Sequence, residues 1–503
     1  MVAHGATYYV DQTGGSDSNN GTSTSTPWKN CPGMSGPAAF SGSGSLAPGD
    51  TVNFDKGDTW QVSNSSNGGF YLVGGVRYIG NGTFGTGTKA TIKASGACAA
   101  GVVRFKDHPT VATIFEGFQV NANGQVTNGV DINTGFCQLM NGATKRVKDC
   151  EVHHTWSRTS QNQYTYGIAI SNHGGTSCYT ENVEVIGCVV HDTSRDAVVL
   201  YPGDENVNCR IKNITVRGCE VYNTGQDPDY GAGAAIAVKG YVQDATIEYN
   251  YLHNTKGALM FVNGNETHHY GVGPTNIHIR YNLLDGATGQ AGAMLIYDGA
   301  SGQDPKDLKI YGNVVYNNSG RGAVWLDSGL GNTLKLWMYN NSFYNAPVIL
   351  NSNNATVTTF EFKNNIVYYT GGVPLQDPQA KIATHSANIF YRGTGTLVSS
   401  GGTNYSAANL STYEPSASSA NPLFKNTANL PTGFAGTYGT NLAPDRDGLS
   451  LQTSSFGVGH GTALVNPYDG SINTVTRPAG AGWDIGAYEL QVPSPPANLR
   501  VVP

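Results

Sequence analysis

The sequence predicts an all-β chain, wound as a single-stranded, right-handed parallel β-helix: a solenoid with capped ends. Three observations carry that prediction. Only 13% of the 503 residues are charged while 66 are Gly, a composition of stacked strands and polar turns rather than of charged helices. One phrase recurs, as VKDCEVHH, VIGCVVHD and VRGCEVYN around Cys150, Cys188 and Cys219, then with Asn in place of Cys at Asn250, Asn282, Asn313, Asn341 and Asn365. A second phrase recurs in step with it: GIAISNHG, DAVVLYPG, GAAIAVKG, GALMFVNG, GAMLIYDG and GAVWLDSG, from Gly167 to Gly329.

The central residues of the first phrase are spaced by 38, 31, 31, 32, 31, 28 and 24 residues. That is the period of a solenoid, whose units bury their apolar face only against their neighbours. Leucine-rich and helical repeats share the length, but here each unit carries short β-branched and aromatic runs between Gly and Asn turns. The Asn column reads as structural, because turn Asn side chains can bond along the axis and tolerate left-handed backbone. Cys150, Cys188 and Cys219 read as a stack of small buried thiols. Cys178 and Cys209, in CYTENVEV and CRIKNITV, align in the same way and could either pair as a disulfide or stay reduced.

The second phrase supplies one strand per rung of a parallel sheet, and its closing Gly suits a turn needing φ > 0. Aligned on that Gly, the phrases put His173, Pro202, Lys239, Asn263, Asp298 and Ser328 in one column. Asn172, Tyr201, Val238, Val262, Tyr297 and Asp327 fill the column beside it. Both faces of this sheet are apolar at several positions, so alternation leaves its outward face open. Residues 1–60 read as an N-terminal strand and cap, and 61–370 as core rungs. Residues 371–490 read as degenerate rungs with a C-terminal cap, and 491–503 as a Pro-rich linker.

The net charge of −6 offers no basic surface for nucleic acid, and no apolar run reaches the length of a membrane span. The start MVAHGATYYV lacks the basic and apolar regions of a signal peptide, so an export signal is expected to have been removed. A monomer is expected. Eight cysteines, an even number, are compatible with export.

The opening YYVDQTGGSDSNNGT with TPWKN, then LAPGDTVNF, and the closing GAGWDIGAYE are similar to bacterial secreted right-handed parallel β-helix proteins. That group includes polysaccharide lyases and glycoside hydrolases. The resemblance implies an extracellular protein with a polysaccharide substrate, and it covers nearly the whole chain. The polygalacturonase pattern is not reproduced: RIK at Arg210 and GHG at Gly459 are present without the acidic elements and in the wrong order. Resemblance to the calcium pectate lyases with a lysine base is partial. Asp192, Asp196 and Asp204 precede Lys239 without a paired Asp-Asp, which makes Asp192 and Asp196 the candidate ligands of a Ca²⁺ ion.

For a lyase, β-elimination from a uronic acid needs its carboxylate neutralised, the C5 proton abstracted and the leaving oxygen protonated. Lys239 is the candidate base, its pKa lowered by packing and by a cation such as Arg195. Arg195, or a cation on Asp192 and Asp196, is the candidate neutraliser, and His173 or Tyr201 the candidate acid. The alternative is a glycoside hydrolase using Asp298 and Asp327 on successive rungs. A second alternative is glycan binding without catalysis. Asn263, Tyr297, Tyr164, Tyr166, Tyr230 and Trp156 are the candidate substrate-binding residues, since long loops on one flank of a solenoid usually wall its binding face. The pairs His153–His154 and His268–His269 are not expected to chelate, because strand neighbours point to opposite faces.

Overall fold

The computed structural model describes residues 5–125, 127–133, 139–155, 165–172, 179–202, 210–226, 233–264, 273–286, 292–297, 305–318, 320–326, 334–350, 357–436 and 442–491. These build a parallel β-helix. Each turn of chain contributes one strand to each of three long sheets, which contain 13, 12 and 13 strands. In chain order one rung runs Lys145–Lys148 in sheet 1, Glu151–Thr155 in sheet 2 and Ile168–Ser171 in sheet 3. Each of these three strands pairs in parallel with its counterpart in the next rung. Among the described residues the one α-helix, Leu410–Tyr413, fits a composition poor in helix formers.

The core is a set of ladders. In sheet 1 the registered column Val147, Val185, Val216, Ile247, Ile279 and Ile310 is wholly buried. In sheet 2 Val152, Val190, Val221, Leu252, Leu284 and Val315 form its counterpart. Identical parity in every rung is why β-branched residues recur, since a one-residue slip would turn a whole strand inside out.

The Asn column forms a continuous ladder at the bend between sheets 1 and 2. Asn250, Asn282, Asn313, Asn341 and Asn365 are fully buried. The backbone N–H and the Nδ2 of Asn282 both donate to Oδ1 of Asn313 at 3.0 Å, and its Nδ2 also donates to the Ile247 carbonyl at 2.9 Å. The pattern repeats rung by rung to Asn388, whose amide donates to the buried Glu414. The left-handed residue at this bend is not the Asn but the one before it: Tyr249, Tyr281, Asn340 and Asn364 have φ of 54°, 55°, 54° and 58°. Cys150, Cys188 and Cys219 continue the column as buried free thiols. Cys178 and Cys209 lie outside the described residues.

The ladder extends beyond the span in which the repeat is legible. Thr7–Val10 already pairs with Thr51–Phe54 in sheet 1, and regular rungs continue through Thr384–Ser386, Ile389–Tyr391 and Thr396–Ser400. Trp28, Met34 and Ala38 fill the N-terminal end of the core. The C-terminal segment does more than close the far end, because most of it lies along the flank of the solenoid. Trp483, Ile485 and Tyr488 pack against Tyr251, Tyr281, Tyr311 and Tyr339 of sheets 1 and 2. Tyr316 donates to the Pro431 carbonyl at 2.7 Å. Among the described residues no helix is long and apolar enough to cross a membrane.

Candidate functional site

Sheet 3 combines alternation with an unusual outer face. Ile168, Val198, Ile236, Met260, Met294 and Val324 are in register and point into the core. Two residues further on, Ile170, Leu200, Val238, Val262 and Ile296 do the same. The residues between them face outward. One outward column is Arg104, Asp131, Ala169, Val199, Ala237, Phe261, Leu295 and Trp325. The next is Ser171, Tyr201, Lys239, Asn263 and Tyr297.

This register corrects the alignment on the closing Gly. Tyr201 rather than Pro202 stands one rung before Lys239, and Tyr297 rather than Asp298 stands one rung after Asn263. The stagger arises because burial of alternate apolar residues fixes the pairing, while the turn that the Gly closes varies in length. His173, Asp298, Asp327, Trp156, Tyr164 and Tyr230 lie outside the described residues.

Lys239 is the centre of the face. Its side chain is 8% exposed, and Nζ lies 2.9 Å from Oδ2 of Asp196, itself 2% exposed. The other Asp196 oxygen accepts from the Ala234 N–H at 2.7 Å. Nζ also sits 5.7 Å from the ring centroids of both Tyr201 and Phe261. The immediate electrostatic partner of Lys239 is thus a carboxylate, where the sequence suggested the neighbouring cation Arg195. Arg195 occupies the bend before Asp196, its carbonyl accepting from Thr193 Oγ1 at 2.9 Å. Tyr166 is buried against Ala169, Val199, Ala234 and Ala237, with Tyr201 and Phe261 packed on the same cluster. Asn263 is 6% exposed and stands directly between Lys239 and Tyr297.

Asp192 and Asp196 have different bonding partners. Asp192 lies in the strand Val189–Thr193 of sheet 2 with φ of 51°, and its carboxylate pairs with Nδ1 of His191 at 2.8 Å and with the Asn223 amide. The two carboxylates expected to share Ca²⁺ are therefore committed to different groups. Among the described residues no three His, Cys, Asp or Glu are gathered to hold a metal ion. At His153–His154 the premise of strand alternation does not hold. His154 has φ of 57°, which breaks strand alternation and brings the two rings to 4.6 Å, with their Nδ1 atoms facing. Burial and the neighbouring rings push His153 down to about 4.

Arg104 and Asp131 were missed in the sequence, although GVVRF and NGVDIN carry the same alternation as the six aligned phrases. Asp131 is 2% exposed and lies 3.6 Å from Arg104 Nε, with the Asn128 amide 3.5 Å away. Burial pushes its carboxyl up to about 7 against the opposing pull of Arg104. The native state then holds this proton between pH ~4 and ~7, where the unfolded chain has lost it. The stabilisation is complete below the unfolded pKa and disappears as pH rises through the folded one, on the order of 4 kcal/mol in all. Urea unfolding of Asp131→Asn at pH 4, 5.5 and 7 should therefore show a flatter pH dependence than wild type; identical slopes would refute the assignment.

The described sheets define a parallel β-helix protein with a buried, charged and aromatic outer face on sheet 3. Comparison with known protein families and with curated proteins gives no match. Comparison with solved structures finds similar chains. Pectate lyase Pel9A is 14% identical over 97% of both chains, with a TM-score of 0.45. XylC in complex with xylose is 10% identical over 96% of this chain and 98% of that one, at 0.48. The A-module of the Azotobacter vinelandii mannuronan C-5 epimerase AlgE4 is 14% identical over 68% and 78%, at 0.40.

Proposed function

We propose that the protein is a secreted polysaccharide-degrading enzyme that binds a glycan along the outer face of sheet 3. In this reading it cleaves a uronic-acid-containing chain by β-elimination. The observation that supports it is the Lys239–Asp196 pair, a buried lysine over two aromatic rings on a surface that the solenoid core does not need. Rungs ~4.8 Å apart give consecutive sugar units a repeating set of outward side chains from Tyr201 to Tyr297. When substrate excludes water, the charged pair loses its advantage over the neutral one, and Asp196 takes the ammonium proton. The Lys239 amine then removes the C5 proton, the C4–C5 double bond forms, and the C4–oxygen bond breaks. Tyr201, one rung away, protonates the leaving oxygen and recovers its proton from Lys239, so the net transfer is from C5 to the leaving oxygen.

Asp131 supports a second reading, hydrolysis. Its carboxyl stays protonated near neutrality, as a general acid requires, while Asp196 is ion-paired on the same face, and such divergent environments are the mark of an acid and base pair. One assay separates the readings on polygalacturonate, alginate, a glycosaminoglycan and a neutral glycan. Ultraviolet absorbance of an unsaturated product is expected. New reducing ends without that absorbance establish hydrolysis and remove Lys239 as base; retention of a glycan without turnover leaves binding alone.

A further inference from the structure

A second cleft lies at the bend between sheets 1 and 2, where the C-terminal segment crosses the solenoid. It encloses ≈ 540 Å³, within the ~300–1,000 Å³ of ordinary small-molecule sites. Its floor is bare for a specific reason. Gly187 and Gly218 occupy the left-handed position that Tyr249 and Tyr281 fill in the following rungs, with φ of 61° and 63°. A Cβ on Gly187 would stand 2.5 Å from Oδ1 of Asp149, so that carboxylate lies across the floor. Tyr249 forms one end, with Phe434 of the C-terminal segment edge-on to it at 6.0 Å.

We propose that this cleft is a second carbohydrate site, which takes neutral pyranose units. Ring faces pack against the C–H faces of a sugar, and carboxylates are strong acceptors for its hydroxyls. Tyr249 and Phe434 provide the first, and Asp149, Glu220 and Asp445 the second. Among the described residues Lys148 is the one basic residue lining the cleft, and it is already paired with Asp149 at 3.3 Å and Glu116 at 3.8 Å. The excess of carboxylates opposes a uronate, so the ligand class differs from that proposed for sheet 3 and the inference does not depend on that reading.

Titration calorimetry of the full chain with xylohexaose, cellohexaose and mannohexaose tests the proposal. Gly218→Asn fills the floor with a residue that the same column already accommodates in left-handed backbone at Asn340 and Asn364. Binding of at least one probe is expected, weakened about tenfold or more in Gly218→Asn, with turnover of the sheet 3 polymer unchanged. Phe434→Ala decides by the same criterion if Gly218→Asn does not fold. The proposal is overturned if none of the three probes binds or if the variant binds as tightly as wild type. It is equally overturned if polygalacturonate, titrated in parallel as the charged control, is the glycan whose binding Gly218→Asn weakens.

Discussion

Lys239→Met lowers turnover by roughly 10²–10⁴-fold, the range for removal of a positioned proton-transfer group, and also destabilises the fold. Asp196 is 2% exposed and is left with the Ala234 N–H once the ammonium is gone. Breaking a buried pair by deleting one partner costs about 3–5 kcal/mol, because the remaining charge is stranded. The double variant Lys239→Met, Asp196→Leu should recover most of that stability, since apolar replacement of a buried pair is often neutral. It should recover none of the activity. Urea unfolding and initial rates on the same three proteins check both halves. A Lys239→Met enzyme with wild-type rates would show that the pair is scaffold only.

Asn313→Ala should be among the most damaging single substitutions in the solenoid. The side chain is fully buried; its Nδ2 donates to the Ile279 carbonyl at 2.9 Å and to Asn341 at 3.0 Å, and its Oδ1 accepts two bonds from Asn282 at 3.0 Å. Truncation strands the Asn282 donors and the Ile279 carbonyl and interrupts a chain of mutually polarised bonds. At about 1–3 kcal/mol for each of the three stranded groups, the loss is roughly 3–9 kcal/mol. Chemical denaturation read by far-ultraviolet circular dichroism measures it, with loss under about 1 kcal/mol contradicting the ladder's role. Tyr222→Ala, a half-buried ring on the outer face of sheet 2, serves as the comparison for a change outside the ladder.

The fold was legible because the solenoid repeats its constraints. Cys150 to Asn365 mark the same bend in each rung, and period, parity and turn chemistry agree there. The closing GAGWDIGAYE was legible only as a scaffold phrase, and it is one: Trp483, Ile485 and Tyr488 are core, and Glu489 pairs with the buried Arg477 at 2.9 Å. What escaped the sequence was what parity alone cannot give. Alignment on a turn Gly misplaced Tyr201 against Lys239, because turns vary while the apolar alternation fixes register. His154 and Asp192 adopt left-handed backbone that their residue types do not announce. Lys239 was legible as an oddity in an apolar phrase, but its partner Asp196 is 43 residues earlier and reaches it only through the stacking of rungs.

The claim that sheet 3 carries the substrate is tested by a crystal structure of Lys239→Met soaked with an oligosaccharide of the polymer that the wild-type enzyme degrades. Sugar density is predicted along the axis over Tyr201, residue 239, Asn263 and Tyr297, with one ring between position 239 and Tyr201. Density confined to another face of the solenoid, with sheet 3 bare, would contradict the account.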